Sequence, residues 1–63
     1  MREYEEAIHR AAEHVLNDYL SGGNQPLGSL VDVQFIAFVY DMDADEVYED
    51  IHNTVEDLRQ RGA

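Results

Sequence analysis

The fold of this 63-residue chain depends on residues 30–41, which read LVDVQFIAFVYD. Apolar residues fill almost every position, so periodicity alone does not distinguish a helix from a strand. Residues 31–35 alternate as a strand does, and β-branched and aromatic side chains are frequent. A single strand has no pairing partner within a monomer, whereas a helix satisfies its own backbone hydrogen bonds. We therefore predict a helix over 30–41, capped by Ser29; the alternative is an α-β-α arrangement in which strands at 31–40 pair between two copies.

The segment before this stretch predicts an amphipathic helix over residues 2–20. Its apolar residues recur at three- and four-residue spacing; they are Tyr4, Ile8, Ala11, Ala12, Val15, Leu16 and Tyr19. Gly22 and Gly23 can end this helix in the left-handed conformation. Residues 21–29 then form a loop that is short enough to be a connection within one domain.

The segment after the stretch predicts a further helix over residues 44–61. Asp43 is a suitable N-cap, and Gly62 supplies a stop at the other end. One side of the helix carries an apolar stripe of Val47, Ile51, Val55 and Leu58. The prediction is an all-α fold: a small three-helix domain that spans residues 1–63 as one unit.

The charge of the chain limits its partners. Fourteen acidic residues stand against four arginines, which gives a formal net charge of −10. A nucleic-acid binder needs cations to neutralise phosphates, and an anionic membrane also attracts basic segments. The longest apolar run, residues 35–40, is far shorter than a membrane span. We expect a cytoplasmic protein that contacts neither nucleic acid nor membrane directly.

Residues that could support catalysis or hold a metal are few. The chain has no cysteine and lacks nucleophile-elbow, phosphate-loop and His-Glu-x-x-His motifs. His9 and His14 are five residues apart and so lie on different faces of a helix. Residues 41–45, DMDAD, begin like a calcium loop, but the glycine at the sixth position and the glutamate at the twelfth are missing. We predict no enzymatic activity, no catalytic residue, no cofactor and no metal.

The most informative pattern is an acidic stripe on the last predicted helix. Spacings of three, four and seven place its six residues opposite the apolar stripe. The acidic stripe consists of Glu46, Glu49, Asp50, Asn53, Glu56 and Asp57. Like charges at these spacings destabilise a helix, so the stripe either keeps a small protein in solution or docks on a basic partner. A phage-type nucleic-acid mimic is a special case of docking, because carboxylates one turn apart repeat about every 5.4 Å.

The middle segment also predicts self-association. It is apolar on most sides, and two neighbouring helices cannot cover all of it. A homodimer through Leu27, Val31, Phe35 and Phe38 would cover the remainder.

About half of the chain resembles the spacing of a helix-turn-helix. The residues that carry this resemblance are Ile36-Ala37, Tyr40-Asp41, Asp43, Val47 and Ile51. The resemblance implies that the small residue packs inside and that the later apolar pair anchors the second helix. Asp41 replaces the usual turn glycine, and the second helix is acidic, so a DNA major groove would repel it. What the resemblance implies is a structural dimer without DNA binding.

A second resemblance is to acyl carrier proteins. Leu27-Gly28-Ser29-Leu30, followed by Val33 and Phe35, is similar to the start of their second helix. A serine there carries the phosphopantetheine arm, which implies a carrier domain modified on Ser29. Gly28 stands where that family has an aspartate.

The reading that unites these patterns is a non-enzymatic acidic module for protein–protein interaction. We expect it to act as an adaptor or inhibitor that docks on a basic surface of a partner protein. Nucleic-acid-binding proteins are among the candidate partners. The acyl-carrier-like domain and the helix-turn-helix-like dimer are the alternatives.

Overall fold

A computed structural model describes residues 2–62 of the chain, with side chains from residue 3 to residue 62. Over that range the protein forms four helices: α1 (Arg2–Leu20), α2 (Leu27–Leu30), α3 (Val33–Tyr40) and α4 (Ala44–Gly62). The predicted all-α fold is confirmed. No strand occurs within residues 2–62, so the α-β-α alternative is wrong.

The middle segment forms two helices instead of the single helix predicted over 30–41. Val31 is extended, with φ −129° and ψ 133°. Asp32 then caps α3, and its carboxylate accepts a hydrogen bond of 3.0 Å from the backbone N–H of Phe35. Because an N-cap residue has non-helical dihedral angles, one helix cannot continue through Asp32. Ser29 lies within the one-turn helix α2 and is not the cap that we predicted.

The end of α1 follows the glycine prediction. Gly22 has a φ of 89°, and its backbone N–H donates to the carbonyl of Tyr19 at 3.1 Å. The N–H of Gly23 donates to the carbonyl of Asp18 at 2.9 Å. This pair of bonds is a Schellman motif. The positive φ makes glycine the favoured residue at position 22, whereas a Cβ atom at Gly23 would meet only the Asp18 carboxylate, which is free to move.

A turn of residues 41–43 joins α3 to α4. Asp41 adopts the left-handed conformation with φ 54° and ψ 49°, and the N–H of Met42 donates to the carbonyl of Ala37 at 2.8 Å. Asp43 Oδ1 accepts a hydrogen bond of 3.1 Å from the N–H of Asp45, as expected of the predicted N-cap. Asp41 therefore occupies the conformation that a turn glycine usually takes, at a cost of roughly 1 kcal/mol.

The core is small and is built mainly between the two long helices. α1 packs along α4, α3 packs on α4, and α2 contacts both long helices. Tyr4 contacts Asp50 and Tyr19 contacts Arg59, so α1 and α4 run in the same direction. The buried apolar residues are Ile8, Ala12, Leu27, Ala37, Val47 and Ile51.

The packing of α3 on α4 agrees with the features that the helix-turn-helix resemblance implies. Ala37 is the buried small residue, and Val47 and Ile51 are the buried apolar pair. A side chain as small as alanine lets the backbone of α3 approach α4 closely. Within residues 2–62, no helix is both long enough and apolar enough to cross a membrane.

Candidate functional site

The acidic stripe lies on the side of α4 opposite Val47 and Ile51, and its Asp50 edge borders α1. Glu46, Glu49, Asn53 and Asp57 are exposed, while Asp50 and Glu56 are partly buried at its edges. The 3.6-residue period that buries Val47 and Ile51 on one side of α4 necessarily places these polar residues on the other.

The six residues of the stripe differ in what they contact. The Asp50 carboxylate accepts a hydrogen bond of 2.6 Å from the hydroxyl of Tyr4, which ties α4 to α1. Glu56 Oε2 lies 3.1 Å from Arg59 Nη2, and Asp57 Oδ2 lies 3.1 Å from Arg61 Nε. The carboxyl-terminal half of the stripe is therefore partly neutralised, and Asp50 helps to hold α4 against α1.

The contact between Tyr4 and Asp50 changes the chemistry of the tyrosine. Burial raises the pKa of the Tyr4 hydroxyl above its ordinary value, and the hydrogen bond to the Asp50 carboxylate raises it further. The hydroxyl is thus a stable donor at neutral pH. The rings of Tyr4 and Tyr40 also pack in a T-shaped arrangement, with centroids 5.6 Å apart, so this cluster links α1, α3 and α4.

The amino-terminal half of the stripe is the more strongly charged part. Glu46 and Glu49 are exposed, and neither joins an ion pair among the described side chains. The arginines of α4, Arg59 and Arg61, lie in its last turn. Carboxylates near the start of a helix are favoured by its dipole, which partly offsets their mutual repulsion.

A groove adjoins this charged end of α4. It is open, has a volume of about 700 Å³, and lies between α2, the start of α3 and the start of α4. Its lining residues include Asp32, Asp45 and Tyr48, and none of them is an arginine, lysine or histidine. The groove therefore presents a mainly polar surface that includes two carboxylates, with a smaller apolar part to which Tyr48 contributes. Ser29, proposed from the acyl-carrier resemblance, is exposed on its wall.

The second distinctive surface is the outer side of α3. Phe35, Phe38 and Val39 are 62%, 85% and 50% exposed, and we call these three residues the α3 face. Two of the four residues predicted for a dimer interface are thus on the surface. Leu27 is only 8% exposed because it fills the core between α1 and α4, so its assignment to an interface is wrong. Val31 is half-buried against the core.

Metal-ligating groups are not brought together in the described part of the chain, where no cluster of three or more His, Asp or Glu side chains occurs. His9 and His14 are both exposed on α1, and His9 Nδ1 lies 3.4 Å from Glu13 Oε1. The acidic turn at residues 41–45 is used to end α3 and to cap α4.

Sequence reasoning missed two features of these surfaces. Val39 belongs to the α3 face, and helical spacing from Phe35 would have placed it there. The groove beside Asp45 and Tyr48 depends on the break between α2 and α3. The signal for that break was Asp32, a good N-cap inside an otherwise apolar run.

Comparison of the chain with protein-family models, with curated proteins and with solved structures found no match.

Proposed function

We propose that this protein is a non-enzymatic acidic interaction module that docks on a basic surface of a protein partner. The observation that carries the proposal is the exposed pair Glu46 and Glu49 on α4, neither of which joins an ion pair with any side chain from residue 3 to residue 62. With a chain charge of −10, the partner that such a surface attracts is one rich in lysine and arginine.

The contacts within the stripe support a docking surface centred on its amino-terminal half. Asp50 holds Tyr4, and Glu56 and Asp57 each have an arginine partner. Glu46, Glu49 and Asn53 are exposed, and among the described side chains none of them joins an ion pair, so they are the residues that would contact a partner. The neighbouring groove adds Asp45 and gives the aliphatic part of a bound lysine or arginine side chain a surface to lie on.

Charge complementarity between two proteins raises the association rate more than it raises the affinity, and it makes the rate depend on salt. A strongly acidic protein approaching a basic surface is steered by the summed field, which raises the association rate at low ionic strength. The Debye length falls from about 10 Å at 0.1 M salt to about 3 Å at 1 M, so the same complex weakens when salt is added.

The test uses two double variants with the same change in charge. Glu46→Gln with Glu49→Gln neutralises the proposed surface. Glu6→Gln with Glu13→Gln neutralises two exposed residues on α1 and is the control. A partner captured from host extract is purified and titrated against the wild-type protein and both variants.

We expect the α4 variant to bind several-fold more weakly and with a smaller salt dependence, while the control binds as the wild type does. The α4 variant should also be no less stable to urea, because like-charge repulsion along the helix is reduced. Equal affinity and salt dependence for all three proteins would assign the stripe to solubility alone.

The nucleic-acid-mimic version of the proposal makes one additional demand. The captured partner must bind nucleic acid, and excess DNA or RNA must compete with this protein for it. The acyl-carrier alternative makes a different demand, which is an intact mass of the natively expressed protein that exceeds the sequence mass by a covalent arm on Ser29.

A further inference from the structure

The α3 face is the most exposed apolar surface of this small protein. Phe35, Phe38 and Val39 are spaced three and four residues apart, so they lie on one side of the helix. The side chain of Phe38, at 85% exposed, contributes almost nothing to the monomer core. α3 docks on α4 through the opposite side, where Ala37 is buried.

We infer that a second copy of the chain covers this face, so that the protein forms a reversible homodimer through α3. The charge distribution identifies the occupant. No residue of α3 carries a charge, although the chain as a whole has a net charge of −10. Two copies that meet elsewhere bring carboxylates together, whereas two copies that meet through α3 bring together only aromatic and aliphatic side chains.

The symmetry of such a contact also suits the sequence. In a two-fold contact the same patch of both copies must be self-complementary. Two α3 helices that cross near Phe35 and Phe38 place their terminal acids, Asp32 and Asp41, at the rim of the contact. These carboxylates are exposed, so they remain in water and salt screens their repulsion.

The area of the face predicts a weak dimer. The two phenylalanine side chains expose roughly 300 Å² per copy, taking about 200 Å² for a whole side chain. Stable interfaces bury about 800 Å² per partner, and smaller ones belong to transient complexes. Even with Val39 added, the α3 contact buries less than half of that area, so the dimer should be weak and should dissociate on dilution.

The experiment is sedimentation equilibrium over a range of concentrations at low and at molar salt. We expect the dimer fraction to rise with concentration and also with salt, because screening removes the repulsion between two acidic chains. This salt dependence is opposite in sign to the one expected for the basic partner, so the two proposals fail separately.

Two variants locate the contact and a third is the control. Phe38→Ser should raise the dimer dissociation constant at least tenfold while circular dichroism shows an unchanged helix content. Asp41→Asn should lower it several-fold, because one rim charge is removed from each copy. Leu20→Ser, which changes another exposed apolar residue at the end of α1, should leave the dissociation constant unchanged.

A protein that stays monomeric at the highest concentration in molar salt overturns the inference. So does an association that Phe38→Ser leaves intact, or one that weakens when salt is added. A monomeric protein whose partner binding is lost in Phe38→Ser would assign the α3 face to that partner instead.

Discussion

α3 and α4 differ in how much of their apolar surface is buried. α4 places Val47 and Ile51 in the core and turns its acidic stripe outward, as an amphipathic helix should. α3 is the most apolar helix of the chain, yet it buries only Ala37 completely and exposes both of its phenylalanines.

The difference teaches that the apolar content of a segment does not determine how much of it is buried. A helix of eight residues that packs mainly on one neighbour, with only Tyr40 reaching α1, hides little more than the side that faces that neighbour. The apolar residues of the α3 face are exposed to solvent, while the outer surface of α4 carries the acidic stripe.

The largest expected effect separates the buried side of α4 from the exposed side of α3. Ile51→Ala should lower the free energy of unfolding by about 2–5 kcal/mol, because it leaves a cavity where the side chain is fully buried. That loss approaches the whole stability expected for a domain of this size. Phe38→Ala, measured by urea unfolding of dilute monomer, should change the same quantity by less than about 0.5 kcal/mol. Similar losses in the two variants would contradict the comparison.

A smaller change in the free energy of unfolding is expected at Asp50, which differs from the other carboxylates of the stripe because it bonds to Tyr4. Tyr4→Phe removes the hydrogen bond to Asp50 and should cost about 1 kcal/mol at neutral pH. The pKa of Tyr4 is raised on folding, so the folded state holds this proton more tightly than the unfolded chain does. The stabilisation is complete below about pH 10 and is lost as the pH rises further.

Urea unfolding between neutral and strongly alkaline pH measures this dependence. The wild-type protein should lose stability above about pH 10 more steeply than Tyr4→Phe does. Parallel curves would show that the Tyr4 hydroxyl contributes no pH-dependent stability.

Glu49→Gln is the control for Asp50, because it removes an exposed carboxylate from the same helix, α4. It should not reduce the free energy of unfolding at neutral pH.

The smallest effect concerns the turn that joins the two helices. Asp41 is left-handed, so Asp41→Gly should raise the free energy of unfolding by up to about 1 kcal/mol. Asp41→Ala removes the same charge but keeps a Cβ atom, and it should lower stability. If glycine and alanine give the same stability in urea, then backbone strain at this turn is unimportant.

Particular residues show why the sequence prediction succeeded where it did. The bounds of α1 and α4 followed from Gly22 and Asp43, whose effects on a helix end are local. Predicting one helix through Asp32 failed because the surrounding apolar run outweighed the signal from a single N-cap. Leu27 was predicted in a dimer interface with Val31, Phe35 and Phe38, but it is buried in the core, and its position in the sequence does not specify which side of α2 faces the core.

The sequence by itself determined the all-α fold, the ends of the long helices, the acidic stripe and the strong negative charge. These properties depend on residue type and on spacing within one helix, which the chain carries locally. Only the tertiary structure decided that Asp50 is bound by Tyr4, 46 residues away, and that Leu27 is in the core while Phe38 is not. Contacts of this kind depend on how helices are placed against one another, and helical periodicity does not specify that placement.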